Sequence, residues 1–297
     1  MTTVAATPAT APGRAGGLKR VVRSILRSKM ATIGFALVVM HLLLALLAPL
    51  IAPHDPTANN PSAVLYLPGG TYPLGTDSLG RDILSRTLYG GQYALGVSLT
   101  ATTIAVVLGT LIAGLAAYYG GWFDQIVTRV LDSVLAVPAL LALLVVVTIF
   151  GSGLWVIVLG VVVVYTGGVT RIVRAAAMDV MPLDFITAAR ARGEGVIYVL
   201  TREVLPNILD VVLVEFAMRA SWVVLLISSL SFLGFGANPP TPDWGLMVAE
   251  NRSLMAVVPL ATLAPIISLA TLIIGLNLAS DGLAKSLGVD RMKEIIG

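Results

Sequence analysis

The chain has no cysteine among its 297 residues and only two histidines, His41 and His54. Disulfides and thiolate metal sites are excluded, while the redox compartment stays open. One histidine per location offers no imidazole pair, and there is no His-Glu-x-x-His and no His-rich tract. Each histidine reads as a buried hydrogen-bond partner or an interfacial residue. Hydroxyls such as Ser85 and Ser152 have no histidine to activate them, so no catalytic set emerges and no metal site is expected. No Gly-Lys-Ser/Thr follows a glycine-rich turn, which removes the phosphate-binding loop of an ATPase. Charge is scarce as well. Only 12% of residues are Asp, Glu, Lys or Arg, about half the roughly 25% of ordinary soluble domains. The net charge of +3 is small and its cations are dispersed, so no nucleic-acid partner is expected.

What the chain has instead is apolar length: 57% of its residues are hydrophobic. Runs of roughly 20 apolar residues cross a bilayer, and six are legible, near 31–51, 94–118, 126–150, 154–172, 208–233 and 257–278. The fold class is therefore an all-α polytopic membrane protein with lipid as its surroundings. Lys and Arg cluster in three places: before the first span (Arg14 to Lys29), between spans four and five (Arg171, Arg174, Arg190, Arg192, Arg202), and at the C-terminus (Lys285, Arg291, Lys293). An N-in, C-in layout puts all three in the cytoplasm and leaves Arg81, Arg86 and Arg252 outside. On this reading 1–29 is a basic cytoplasmic tail, disordered at least over its Thr-, Ala- and Pro-rich start. Residues 30–52 form the first span, 53–93 an extracytoplasmic segment, 94–282 a core of five spans, and 283–297 a second cytoplasmic tail. The first apolar run is too long for a cleaved signal peptide, and Pro53 follows the small residue Ala52, so it reads as a retained span. Trp122, Trp155 and Trp244 fall near span ends and read as interfacial anchors.

A polar island interrupts the apolar runs: Pro182-Leu-Asp-Phe-Ile-Thr-Ala-Ala-Arg-Ala-Arg-Gly193, then Leu205-Pro206-Asn207. Asp184 is an N-cap candidate, 185–192 a short helix and Gly193 its stop. Pro206-Asn207 should break the returning helix and cap the fifth span. The spacing Ala188-Ala189-x-x-x-Gly193 with Leu205-Pro206 beyond it resembles the loop by which permease subunits of ABC importers dock on their ATPases. That resemblance implies that Asp184, Thr187, Ala188, Ala189, Arg190, Arg192, Gly193, Leu205 and Pro206 form an ATPase-coupling element within a loop of about 175–207. Ala188 and Ala189 would permit close approach, and Arg190 and Arg192 would meet acidic groups or hold the helix at the interface. An ordinary arginine-rich connector is the plainer reading.

A second run, Leu74-Gly-Thr-Asp-Ser-Leu-Gly-Arg-Asp-Ile-Leu-Ser-Arg86, precedes the second span. By itself it reads as a turn and a short amphipathic helix, capped by Asp77 and with Ile83, Leu84 and Leu88 toward the membrane. It is similar to the signature of dipeptide and oligopeptide permeases of the second-subunit type. Tyr118-Tyr-Gly-Gly-Trp122, Leu230-Ser-Phe-Leu-Gly234, Pro239-Pro-Thr-Pro-x-Trp-Gly245 and Asn277-Leu-x-x-Asp-Gly282 match the same family. Gly75, Thr76, Asp77, Gly80, Arg81, Asp82 and Trp244 are then its extracytoplasmic motif residues. The resemblance implies the bacterial inner membrane, a second homologous permease and two ATPase subunits or domains that hold ATP and Mg. It also implies an extracytoplasmic binding protein and a peptide cargo. A nickel chelate, haem or another small solute is the alternative cargo within this class. Four positions depart from the family's habit: Tyr72 for His, Thr187 for Glu, Glu203 for Ile or His, and Ile227 for Glu.

Glu215 and Arg219 stand one turn apart inside the fifth run. They can pair at i, i+4, and charge in mid-bilayer rarely faces lipid. Two roles stay open, a structural ion pair and a lining of the translocation path. An ATP-independent secondary transporter would call for paired repeats with broken helices and intramembrane ion ligands, and this pair is the only such candidate.

Overall fold

The computed structural model of the chain describes residues 28–287. The expected tail 1–29 therefore lies outside the described residues up to position 27, and the C-terminal tail from 288 onward. Helices build the structure, and among the described residues there is no β-strand, only the isolated bridges Gly69–Tyr72 and Thr76–Asp82. Five helices are long and apolar enough to cross a membrane: α1 (Lys29–Ile51), α2 (Ile83–Tyr119), α5 (Leu154–Val180), the stretch Val196–Phe232, and α9 (Leu260–Leu287). A bent pair, α3 (Gly121–Leu135) and α4 (Ala139–Phe150), which meet at 82°, makes a sixth crossing when counted as one broken span. Here the expectation of one continuous span over 126–150 is corrected. Pro138 supplies no amide hydrogen and steers Val137 away from helical backbone, so the ladder breaks.

Two more expected boundaries move for local reasons. The second span begins at Ile83 rather than 94, because Asp82 caps it by accepting from the Ser85 amide (3.1 Å) and nothing between 83 and 119 interrupts the helix. Asp77 is therefore not the cap, and Ile83 is buried against Val258 and Ala261 rather than facing lipid. The fifth span is not broken at Pro206. A π-helical stretch, Val199–Val204, runs directly into α7 (Leu205–Phe232) with Pro206 in its first turn. The wide turn absorbs the missing proline N–H, and the Asn207 side-chain amide donates to the Glu203 carbonyl (2.6 Å) instead of capping.

Glycine and alanine set how closely the spans approach. Antiparallel α1 and α9 cross along a seam in which Gly282 lies on Ala31, Gly34 on Ala279, and Gly275 on Leu37. A Cβ on Gly34 would sit 2.5 Å from the Ala279 amide nitrogen. Small residues at such a crossing let backbones touch where apolar burial alone gives little drive in lipid. The seam continues to His41, whose Nδ1 bonds the Leu37 carbonyl (2.9 Å) and whose Nε2 meets Thr271 Oγ1 (3.2 Å), as expected of a buried histidine. α2, α4, α5 and α7 share one apolar core, centred on Leu143, Ile157, Val161, Ile227 and Leu230. Another cluster joins α1, α2, α7 and α9 around α8 (Trp244–Asn251), a short buried helix wedged among them. With the bent pair counted as one crossing, both described ends lie at the same end of the bundle.

Candidate functional site

The polar island folds as expected in outline. α6 (Asp184–Ala191) is a short helix at the bundle end that holds Tyr118 and the π-helical stretch. Its stop is a complete C-terminal motif: Gly193 has φ +80, its amide donates to the Arg190 carbonyl (3.0 Å), and the Glu194 amide donates to the Ala189 carbonyl (3.2 Å). Its start is different. Leu183 occupies the cap position without a side-chain bond, and Asp184 is the first helical residue. There its carboxylate still opposes the positive end of the helix.

The structure separates residues that the sequence put together. Ile186 and Ala189 are fully buried, packed into the cluster of Val106, Val169, Val173, Val199 and Ile208. Ala188, Thr187, Phe185 and Arg192 form the exposed side. Ala189 is thus a seat for α6 on its own spans, and Ala188 is the small residue left at the surface. Arg190 folds back: its guanidinium lies 4.3 Å from the Tyr118 ring centre and bonds the Tyr118 carbonyl (3.4 Å). Arg192 remains outward, 3.8 Å from Glu194 at an exposed pair. Leu205 and Pro206 continue directly into α7, so α6 and the fifth span are joined through a helical corner.

At the opposite end, the motif of Gly75 to Asp82 is a buried knot. Thr76 is fully buried, donating to the Ala63 carbonyl and accepting from the Tyr66 amide (2.8 Å). Asp77 accepts from the amides of Leu79 (2.9 Å) and Arg81 (3.0 Å) and from Arg81 Nε (2.6 Å). Arg81 also reaches Glu250 at the end of α8 (2.8 Å). Arg86 completes the cluster, 3.8 Å from Asp77 and 3.6 Å from Glu250, while donating to the carbonyls of Pro56 (3.0 Å) and Pro240 (3.3 Å). Gly75 and Gly80 take positive φ, and a Cβ at Gly80 would fall 1.9 Å from the Asn60 carbonyl oxygen. Tyr72 stacks on His54 at 4.8 Å and accepts from Asn60 (3.0 Å).

Trp244 corrects its expected placing. It is not an interfacial anchor but is buried at 3%, donating to the Thr87 carbonyl (2.7 Å) across glycines 90 and 91; a Cβ at Gly90 would collide with the indole, and one at Gly91 would crowd it. Next to it Asp243 caps α8, accepting from the Leu246 amide (2.9 Å) and Ser231 (3.0 Å). Burial pushes its carboxyl above the usual range, opposed by these bonds. Sequence reading had no signal for Glu250 as the partner of Arg81, because 169 positions separate them.

In mid-span the Glu215–Arg219 pair forms within the chain, through Arg219 Nε and Glu215 Oε1. Glu215 is buried, while the Arg219 side chain is 21% exposed. Gly168 of α5 leaves the space its guanidinium fills. Among the described residues no group of three or more His, Asp or Glu is placed to hold a metal ion.

Comparison with known proteins agrees with this arrangement. A family model described as "Binding-protein-dependent transport system inner membrane component" matches residues 76–289, and one described as "N-terminal TM domain of oligopeptide transport permease C" matches 18–68. The dipeptide transport system permease protein DppC of Haemophilus influenzae is 36% identical over 267 residues, covering 88% of this chain and 90% of its own. DppC of Alkalihalophilus pseudofirmus is 31% identical, covering 91% and 88%. The glutathione transport system permease protein GsiD of Shigella dysenteriae is 35% identical, covering 89% and 88%. The two matched regions meet at the buried knot, α1 lying in one and the other crossings in the other, and the chain belongs to the family of inner-membrane permease components of binding-protein-dependent ABC transport systems.

Proposed function

We propose that the chain is one permease subunit of an ATP-driven importer of di- or oligopeptides, in which α6 transmits movement of an ATPase to the spans. The observation that carries this reading is how α6 is mounted. Ile186 and Ala189 root one face in the cluster shared by α2, α5 and the π-helical stretch, while Phe185, Ala188 and Arg192 stay outside. A helix so seated moves as a unit with the spans beneath it. A push on its outer face therefore becomes rotation of α5 and α7 rather than deformation of a loop. The cations Arg171, Arg174, Arg190, Arg192 and Arg202 lie on α5, on α6 and its cap, and on the π-helical stretch, toward this end, which supports an N-in, C-in orientation with α6 in the cytoplasm. The relatives named for dipeptide and glutathione transport support the peptide cargo. A second related permease, two ATPase subunits or domains with ATP and Mg, and an extracytoplasmic binding protein complete the complex.

The test is recovery of the tagged chain in mild detergent, with its partners read by mass spectrometry, alongside peptide uptake in cells. Ala188→Glu should leave the chain folded and bound to the second permease, yet lower ATPase retention and uptake about tenfold, the equivalent of 1.4 kcal/mol of lost contact. Ala189→Glu should instead lower recovery of the whole chain, since it drives a charge into an apolar seat. Full ATPase retention and uptake in Ala188→Glu would remove this face of α6 from the coupling path.

A further inference from the structure

The exposed side of α7 carries a guanidinium that its own partner does not use up. Glu215 engages Arg219 through Nε. The terminal nitrogens lie over Gly168, where an added Cβ would be 2.9 Å from Nη2, and the Tyr165 ring centre is 5.8 Å away. Gly168 and Tyr165 hold the guanidinium in position, but neither gives it a carboxylate. Five donors in a planar fork suit a bidentate carboxylate, and the Nε contact leaves the outer edge of the fork free for one. A partly exposed cation at this depth rarely faces lipid, where it is costly, so its open edge is read as facing a partner or an aqueous path.

The helix has a second feature. From Arg219 toward the C-terminus, a strip of wholly or partly exposed residues winds around the helix through Trp222 to Leu225, Ser229 and Phe232. The last three line an open cavity of about 450 Å³, with Leu140, Ile266 and Leu269 also in its wall. It is apolar with hydroxyls at Ser228 and Ser229, the composition of small-molecule sites. From position 219 to 225 the helix rises about 9 Å, and an extended dipeptide or tripeptide covers roughly 7–10 Å. We propose that Arg219, oriented by buried Glu215, receives the C-terminal carboxylate of a short peptide in the translocation path, with the peptide's apolar side chains lying toward the Leu225–Phe232 cavity. This rests on the permease reading above and names the group that would hold its cargo. Glu215 is a positioning residue: its buried carboxylate fixes the guanidinium from behind.

The absence of cysteine makes the test direct. In the assembled complex with its binding protein, Arg219→Cys supplies the only thiol of this chain, and labelling by thiosulfonate reagents is read on it by mass. Glu215→Gln/Arg219→Cys runs in parallel, so that an unpaired buried carboxylate cannot cause misfolding. Uptake of dialanine and glutathione should fall at least about tenfold with the fork removed. Modification with 2-aminoethyl methanethiosulfonate, which restores a cation, should recover part of it, and the neutral methyl reagent none. In Trp222→Cys, which keeps Arg219 and places the only thiol of this chain one turn away at an exposed position, dialanine should slow labelling, whereas its C-terminal amide should not. No labelling in the assembled complex would mean that the second permease covers Arg219. Equal labelling of Trp222→Cys with and without dialanine would mean that the cargo passes elsewhere. Either result overturns the inference and leaves the permease reading standing. If the unmodified complex imports neither peptide, the peptide reading fails and this inference with it.

Discussion

Arg86→Met should unfold the extracytoplasmic knot and cost about 3–5 kcal/mol, the range for removing one member of a buried ion pair. Arg86 is 1% exposed and stands against Asp77 at 1% and Glu250 at 25%. Methionine keeps most of the volume, so the loss is electrostatic rather than a cavity. Two carboxylates then face each other across Arg81 alone, and the Pro56 and Pro240 carbonyls lose their donor. At about 2–4 °C per kcal/mol for a chain of this size, the melting midpoint of the detergent-purified protein should fall by about 10 °C. Arg171→Gln is the control. Its pair with Asp132 is 63% and 53% exposed, and such pairs contribute about 0–1 kcal/mol. A shift for Arg86→Met no larger than the control would show that the knot is not held by its charges.

Gly34→Leu should detach α1 from α9. The glycine Cα sits where any Cβ would lie 2.5–2.7 Å from Leu278 and Ala279, two of those three contacts being backbone. Helices cannot yield there without separating, so the crossing opens and the His41–Thr271 contact is lost with it. Overpacking costs typically about 1–3 kcal/mol where side chains can shift, and the upper end is expected because backbone does not. The expected result is protease sensitivity in the α1–α2 segment and loss of uptake, with α2 to α9 still recovered as one protected core. Gly70→Leu, which meets nothing within 4 Å, should behave as the unaltered chain. Unchanged protection in Gly34→Leu would mean that α1 sits on the core by other contacts.

Much of this molecule was legible before any coordinates. Apolar runs near 20 residues give the spans because a bilayer admits only backbone that satisfies itself. The small residues Ala31, Gly34, Ala45 and Ala48 share one buried face of α1, a stripe that reading the run only as an apolar span passes over. The short helix at 184–191 and its glycine stop followed from local chemistry, for the αL turn at Gly193 is decided by neighbours within five residues. Pro138 could have announced the bend of the third crossing, but membrane helices also tolerate proline unbroken, as Pro265 does in α9. Its effect depends on what packs around it.

Facing and long-range pairing belong to the tertiary structure. Ala188 and Ala189 are identical residues side by side in sequence, and only the position of the cluster on α2, α5 and the π-helical stretch makes one a seat and the other a surface. Trp244 has the sequence context of an interfacial anchor, and becomes core because glycines 90 and 91 open a slot on another helix. Arg81 and Arg86 look like loop cations until Glu250 arrives from α8. Local composition and period were enough to place the apolar runs, the short polar helix and the chemistries the chain lacks. Which residues face inward, which charges meet and which guanidinium is left open depended on contacts between segments far apart in the chain, whose energy exists only once the helices have packed.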